Sequence, residues 1–94
     1  RYGGEEFCVL LPETNKHGAV FVAERLRNFV ASNKIKAYDE EVGMTISVGV
    51  ATFPHDANTA KDLIERADEA LYKAKAEGRN RVVDYSPGTD KREL

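Results

Sequence analysis

Two adjacent carboxylates, Glu5 and Glu6, follow two adjacent glycines, Gly3 and Gly4. Carboxylate oxygens are hard ligands of the kind a divalent cation such as magnesium takes. Glycine lets the backbone approach a bulky ligand such as a nucleotide. Successive side chains of an extended strand point to opposite faces, so Glu5 and Glu6 take different roles unless the turn brings them together. The same four residues would equally make a solvent-exposed hairpin turn, and the string alone leaves both readings open. A second candidate is the group Lys73, Lys75, Arg79 and Arg81. Such cations attract phosphates, and arginine binds them through two parallel hydrogen bonds. Lys75 falls in the last turn of an expected helix and Arg79 just past Gly78, so both could reach one polyphosphate. Cations at a helix C-terminus also offset the helix dipole, and lysines beside an alanine stripe are ordinarily a solvated face.

The remaining reactive residues point to no other chemistry. His17 and His55 have no partner at metal-ligand spacing and read as surface residues. No Ser/His/Asp or Cys/His arrangement stands out. Tyr2, Tyr38, Tyr72 and Tyr85 are too scattered for a base-stacking platform. With 14 basic and 16 acidic residues the formal charge is −2, which suggests neither a nucleic-acid partner nor an anionic membrane. Cys8 is the lone cysteine and reads as a buried reduced thiol. It excludes an intramolecular disulfide and fits a cytoplasmic setting. No apolar stretch approaches the roughly 20 residues that span a bilayer, so this segment is not expected to insert directly into one.

Several elements must position these groups. The 94 residues suffice for one small domain. Phe7–Leu11 is a short apolar run ending at Pro12 and reads as a strand buried on both faces. The glycines before it suit a hairpin turn, but only Arg1 and Tyr2 precede them. The partner strand is therefore expected outside this sequence, and the N-terminal part of the domain is expected to be missing. Thr14 is the expected cap of a helix over 15–32, with Ala19, Val22, Ala23, Leu26, Phe29 and Val30 on one face. Residues 35–38 read as a short edge strand turning at 39–41. Met44, Ile46, Val48 and Val50 alternate and predict a strand over 44–53. Its other face carries Thr45, Ser47, Gly49 and Ala51, small enough for a helix, a ligand or a loop to come close. Thr59 and Asp62 then open a second helix, whose stripe runs from Ala60 to Ala74 and stops at Gly78. Residues 80–85 predict a last strand, and 86–94 a flexible tail. A sheet with helices on one face is the natural arrangement.

Three strings together resemble the GGDEF family, the diguanylate cyclases: Arg1–Phe7, Thr45–Ala51 and Ala67–Asn80, in this order and at these separations. The resemblance covers the chain to about Tyr85 and only the second half of the family's domain. It implies an α+β sandwich, a mostly antiparallel sheet with helices packed on it, like the palm of nucleotide cyclases and polymerases. It implies residues 1–85 as the C-terminal portion of that domain. The implied activity is condensation of two GTP molecules to cyclic di-GMP with release of pyrophosphate, dependent on magnesium or manganese. Gly3 and Gly4 would border the GTP. Glu5 would bind metal and help activate the attacking 3′-hydroxyl, and Glu6 would support the same site. Lys75 and Arg79 match the residues that hold the terminal phosphates, and Arg25 matches a secondary inhibitory contact of some members.

The family's first-strand aspartate, its guanine-recognising residues and its main inhibitory site would all lie before Arg1. Each domain holds one GTP, so the resemblance also implies a second such domain face to face, and an isolated fragment that is inactive. A membrane anchor could still belong to other domains of the full protein. Two further readings belong to other classes. One is a non-catalytic regulatory module that binds GTP or cyclic di-GMP. The other is a fragment whose open strand edge pairs with another chain.

Overall fold

The structure, a computed structural model, describes residues 11, 14–37 and 39–86. The apolar run at 7–10, the glycine turn and Cys8 lie outside the described residues. So does the tail expected over 86–94, apart from Ser86.

The first helix, α1, spans Lys16–Ser32. Its N-cap is Asn15, one residue after the expected Thr14. The Asn15 side chain accepts a 2.8 Å hydrogen bond from the Gly18 N–H, and its carbonyl accepts the first helical bond, from Ala19 at 2.9 Å. Asparagine is at least as good a cap as threonine, so the helix starts where asparagine can reach its third residue. The predicted apolar stripe is covered only in its first half. Ala19 and Ala23 are buried, whereas Leu26 is 46% and Phe29 66% exposed.

After α1, β1 (Ile35–Ala37) and β2 (Glu40–Val42) form an antiparallel hairpin with Ile35 opposite Val42. The turn is tighter than the one expected over 39–41. Asp39 takes a left-handed conformation, φ 68°, and Glu40 already belongs to the second strand. Aspartate is one of the few residues that visits this region at modest cost.

The layer that carries the helices consists of β3 (Val48–Val50) and β4 (Val82–Asp84). These strands are parallel, with Val48 opposite Val82 and Val50 opposite Asp84. This corrects the expectation of a mostly antiparallel sheet. The chain leaves the end of β3, returns along α2 (Ala60–Ala76) and starts β4 beside the start of β3. A helical crossover of that kind produces parallel neighbours. The strand expected over 44–53 pairs with β4 only over its central residues, and Met44, beyond that ladder, is 49% exposed.

The two helices cover opposite faces of this pair, where one-sided cover was expected. Val48 and Val50 join Ala19, Val20 and Ala23 of α1 in one cluster with Val82. Gly49 faces the other way, against α2. A Cβ at Gly49 would collide with the Ala67 carbonyl oxygen and the Leu71 backbone nitrogen, and would lie 2.8 Å from Leu71 Cα. The small-residue face is therefore small because a helix backbone rests on it, which was the first of the three expectations for it. Ala70 and Ala74 of α2 are fully buried.

Local chemistry sets both ends of α2. Thr59 Oγ1 accepts from the Asp62 N–H at 3.1 Å. At the other end Gly78 adopts φ 120°, its N–H donates to the Lys75 carbonyl at 3.3 Å, and Arg79 N–H donates to the Ala74 carbonyl at 3.0 Å. These two bonds are the Schellman closure that a glycine after a helix permits.

A buried carboxylate closes the far end of the layer. The Asp56 side chain is 2% exposed. It accepts from the Thr52 N–H at 2.8 Å, the Thr52 hydroxyl at 3.1 Å and Lys16 Nζ at 3.1 Å, and His55 Nδ1 lies 2.9 Å away. Lys16 also donates to the Tyr85 carbonyl at 2.8 Å. Burial alone would push the Asp56 carboxyl up. The hydrogen bonds from His55, the Thr52 backbone, Lys16 and the Thr52 hydroxyl outweigh it and hold the carboxyl below its ordinary value.

A cation-lined cleft beyond the second helix

The four cations expected near the end of α2 divide into two groups. Lys73 Nζ lies 3.7 Å and Arg81 Nη1 3.8 Å from the carboxylate of Glu77, which both share. Lys75 and Arg79 lie together along a different line of the helix. With Tyr72 and Ala76 they line an open cleft of about 300 Å³. Positions 72, 75 and 76 share one helix face by three- and four-residue spacing, and the Schellman turn brings Arg79, three residues past the helix end at Ala76, beside them. An ammonium and a guanidinium beside one open cleft can take the oxygens of a phosphate group.

The turn that presents Arg79 is unusual in its backbone. Gly78, Arg79 and Asn80 have φ of 120°, 63° and 49°, three successive left-handed residues. For residues with a Cβ this conformation costs on the order of 1–2 kcal/mol each, so neighbouring contacts must hold it. Asn80 N–H donates to Ser47 Oγ at 3.1 Å, just before β3. Asn80 Oδ1 accepts from Arg27 Nη1 of α1 at 2.9 Å. Arg81 Nε donates to the Arg79 carbonyl at 3.2 Å, and the Arg81 carbonyl accepts from the Val48 N–H at 2.9 Å.

Of the site residues expected from sequence, Lys75 and Arg79 are thus together. Gly3, Gly4, Glu5 and Glu6 lie outside the described residues. Among the described residues no group of three or more His, Cys, Asp or Glu side chains could hold a metal ion. Arg25 lies on the exposed side of α1, 5.8 Å from the centre of the Phe21 ring. It lines a second cleft with Val22, Leu26 and Phe29. His17 and His55 are exposed, as expected. Arg27, Ser47 and Asn80 were not singled out from sequence. Asn80 carried the available signal, since asparagine just past a helix-ending glycine suits a left-handed turn.

Residues 1–81 match the family model described as "Diguanylate cyclase, GGDEF domain". The chain belongs to the GGDEF family. Diguanylate cyclase A of Treponema denticola is 48% identical over 83 residues, a match that covers 88% of this chain and 22% of that protein. Response regulator PleD of Caulobacter vibrioides is 44% identical over 85 residues, covering 88% of this chain and 19% of PleD. The chain therefore spans about a fifth of the length of these relatives. Among solved structures, the GGDEF domain of DgcB from Caulobacter crescentus, in complex with c-di-GMP, superimposes with a TM-score of 0.78 at 38% identity. That match covers 89% of this chain and 49% of the DgcB chain. Among the described residues no helix is long and apolar enough to cross a membrane.

Proposed function

We propose that this chain is the phosphate-holding half of a diguanylate cyclase domain, which when complete condenses two GTP molecules to cyclic di-GMP and releases pyrophosphate. The observation that carries this reading is that Lys75 and Arg79 line one open cleft beyond α2. In that role Lys75 and Arg79 bind the β- and γ-phosphates and offset the charge that grows on the departing pyrophosphate. Gly3 and Gly4 let the backbone lie against the nucleotide. Glu5 and Glu6 hold magnesium or manganese, and Glu5 helps activate the attacking 3′-hydroxyl. The metal, when bound, supplies Lewis-acid polarisation of the phosphoryl oxygens and favours the ionised hydroxyl.

Each domain presents one GTP, so the partner is a second GGDEF domain facing the first. Residues 1–85 are assigned to the domain, and the exposed side of α1 at Leu26 and Phe29 is the surface its remaining part covers. The setting proposed is cytoplasmic.

The test is GTP turnover by the complete protein with magnesium, beside Glu5→Gln. The expected result is cyclic di-GMP formation, reduced about a hundred-fold or more in the variant. Full activity in Glu5→Gln would remove the role given to Glu5. Nucleotide binding without any turnover by the complete protein would instead favour a regulatory module. The isolated 94-residue chain is expected to form no cyclic di-GMP.

A further inference from the structure

We infer that Arg27 is a positioning residue for Arg79, acting through Asn80. The inference rests on the proposed phosphate-binding role of Arg79.

Arg79 sits in the middle of three left-handed residues, and two of those three carry a Cβ. Left to itself such a turn relaxes toward negative φ, which would swing the Arg79 side chain away from Lys75. Its backbone is held on both sides. Its own N–H is bound to the Ala74 carbonyl, its carbonyl accepts from Arg81, and the next N–H, that of Asn80, is bound to Ser47 Oγ. The Asn80 side chain is in turn held by Arg27. One guanidinium makes three hydrogen bonds in three directions: Nε to Glu24 at 2.8 Å, Nη1 to Asn80 at 2.9 Å and Nη2 to Asn28 at 2.9 Å. Glu24 and Asn28 lie on α1, so the guanidinium plane is fixed to the helix before it reaches across to the turn. Lysine has a single nitrogen and cannot reproduce this fork.

These contacts lie at the surface, where a hydrogen bond adds little to global stability. The Arg27–Asn80 contact joins residues 53 apart in sequence. Its consequence is local: it selects one backbone state for the residue before Asn80. With the backbone fixed, Arg79 has only its side-chain torsions left to lose on meeting a phosphate, so less ordering cost opposes binding.

The experiment is steady-state GTP turnover by the complete protein carrying Arg27→Gln, Asn80→Gly, Arg79→Ala and the double variants of each of the first two with Arg79→Ala. Melting temperatures are measured in parallel. Asn80→Gly keeps a residue at ease with positive φ and removes only the acceptor, so it tests the clamp even if Arg27→Gln folds poorly. Arg79→Ala is expected to raise the KM for GTP about ten-fold or more, the loss of a charged hydrogen bond. Arg27→Gln and Asn80→Gly are expected to raise KM roughly five-fold with kcat little changed, and to add nothing in the Arg79→Ala background. If Arg79→Ala raises KM but the other two leave it within about two-fold, or multiply with Arg79→Ala, the positioning role is wrong and the phosphate role stands. If Arg79→Ala itself leaves KM unchanged, the phosphate role fails and the positioning role with it.

Discussion

Near its start, α1 reaches the sheet through Lys16, which donates to Asp56 and to the Tyr85 carbonyl. Three turns later it reaches the sheet again through Arg27, which donates to Asn80. The first contact lies just past the ends of β3 and β4, the second just before their starts, so α1 runs antiparallel to both strands. The two ties differ in burial. The Asp56 carboxylate is almost wholly removed from water and has hydrogen-bond partners at both oxygens. Asn80 is exposed and bonds to single groups on Arg27 and Ser47. A buried carboxylate that loses a partner leaves several donors unsatisfied, whereas an exposed amide can turn to water. The buried tie therefore holds the layers together, and the exposed one fixes a conformation beside the phosphate cleft.

The largest expected effect is at the buried tie. Asp56→Ala leaves both Thr52 donors without their acceptor and Lys16 with the Tyr85 carbonyl alone, and is expected to lower stability by about 3 kcal/mol in denaturant unfolding. A loss below about 0.5 kcal/mol would place Asp56 among ordinary surface residues and erase the contrast.

The same carboxylate gives a pH signature. Its folded-state pKa lies below the ordinary value, so the folded protein binds fewer protons than the unfolded chain between the two. The stabilisation is complete above the ordinary carboxylate value, about 3.9, and is lost as pH falls through the depressed one. Stability of the wild type should thus fall more steeply than that of Asp56→Asn on acidification from about pH 5 to pH 3. Parallel pH profiles would contradict the assignment.

Thr59→Ala touches neither tie and removes only the cap of α2. It is expected to cost about 1 kcal/mol, measured in the same unfolding experiment, and so supplies the scale between the two. The smallest stability effect is expected at the exposed tie: Asn80→Gly should stay within about 0.5 kcal/mol of wild type, since glycine relieves the left-handed strain while the hydrogen bond is lost. A loss as large as that of Asp56→Ala would make the turn a structural joint instead of a positioning device.

The parts of this molecule that were legible in the sequence are those that local chemistry determines. Thr59, the alanine stripe and Gly78 delimit α2 because a cap and a left-handed terminus are written within a few residues. Lys75 and Arg79 stood out from Lys73 and Arg81 through the family resemblance, since their spacing alone fits a solvated helix end equally well. What escaped depends on distant partners. The parallel pairing of β3 and β4 follows from the crossover between residues 50 and 82; the strand–helix–strand order was read, but the antiparallel expectation came from the family resemblance. The period-two alternation of Val48, Gly49 and Val50 was read, but its consequence, a helix on each face, required knowing where α1 packs. Arg27 and Asn80 look like ordinary polar surface in sequence, and only folding brings them together. Glu5 and Glu6 show the opposite case, a motif easily seen whose geometry lies outside the described residues.

The cleft shared by Lys75 and Arg79 supports the proposed function most directly, and one comparison tests it. The KM for GTP is measured in the complete protein with magnesium for Lys75→Ala, Arg79→Ala and Lys73→Ala. The expected result is a rise of about ten-fold or more for the two residues that line the cleft, and a value within about two-fold of wild type for Lys73→Ala, whose charge is paired with Glu77. A rise for Lys73→Ala equal to the others, or none for Lys75→Ala and Arg79→Ala, would contradict it.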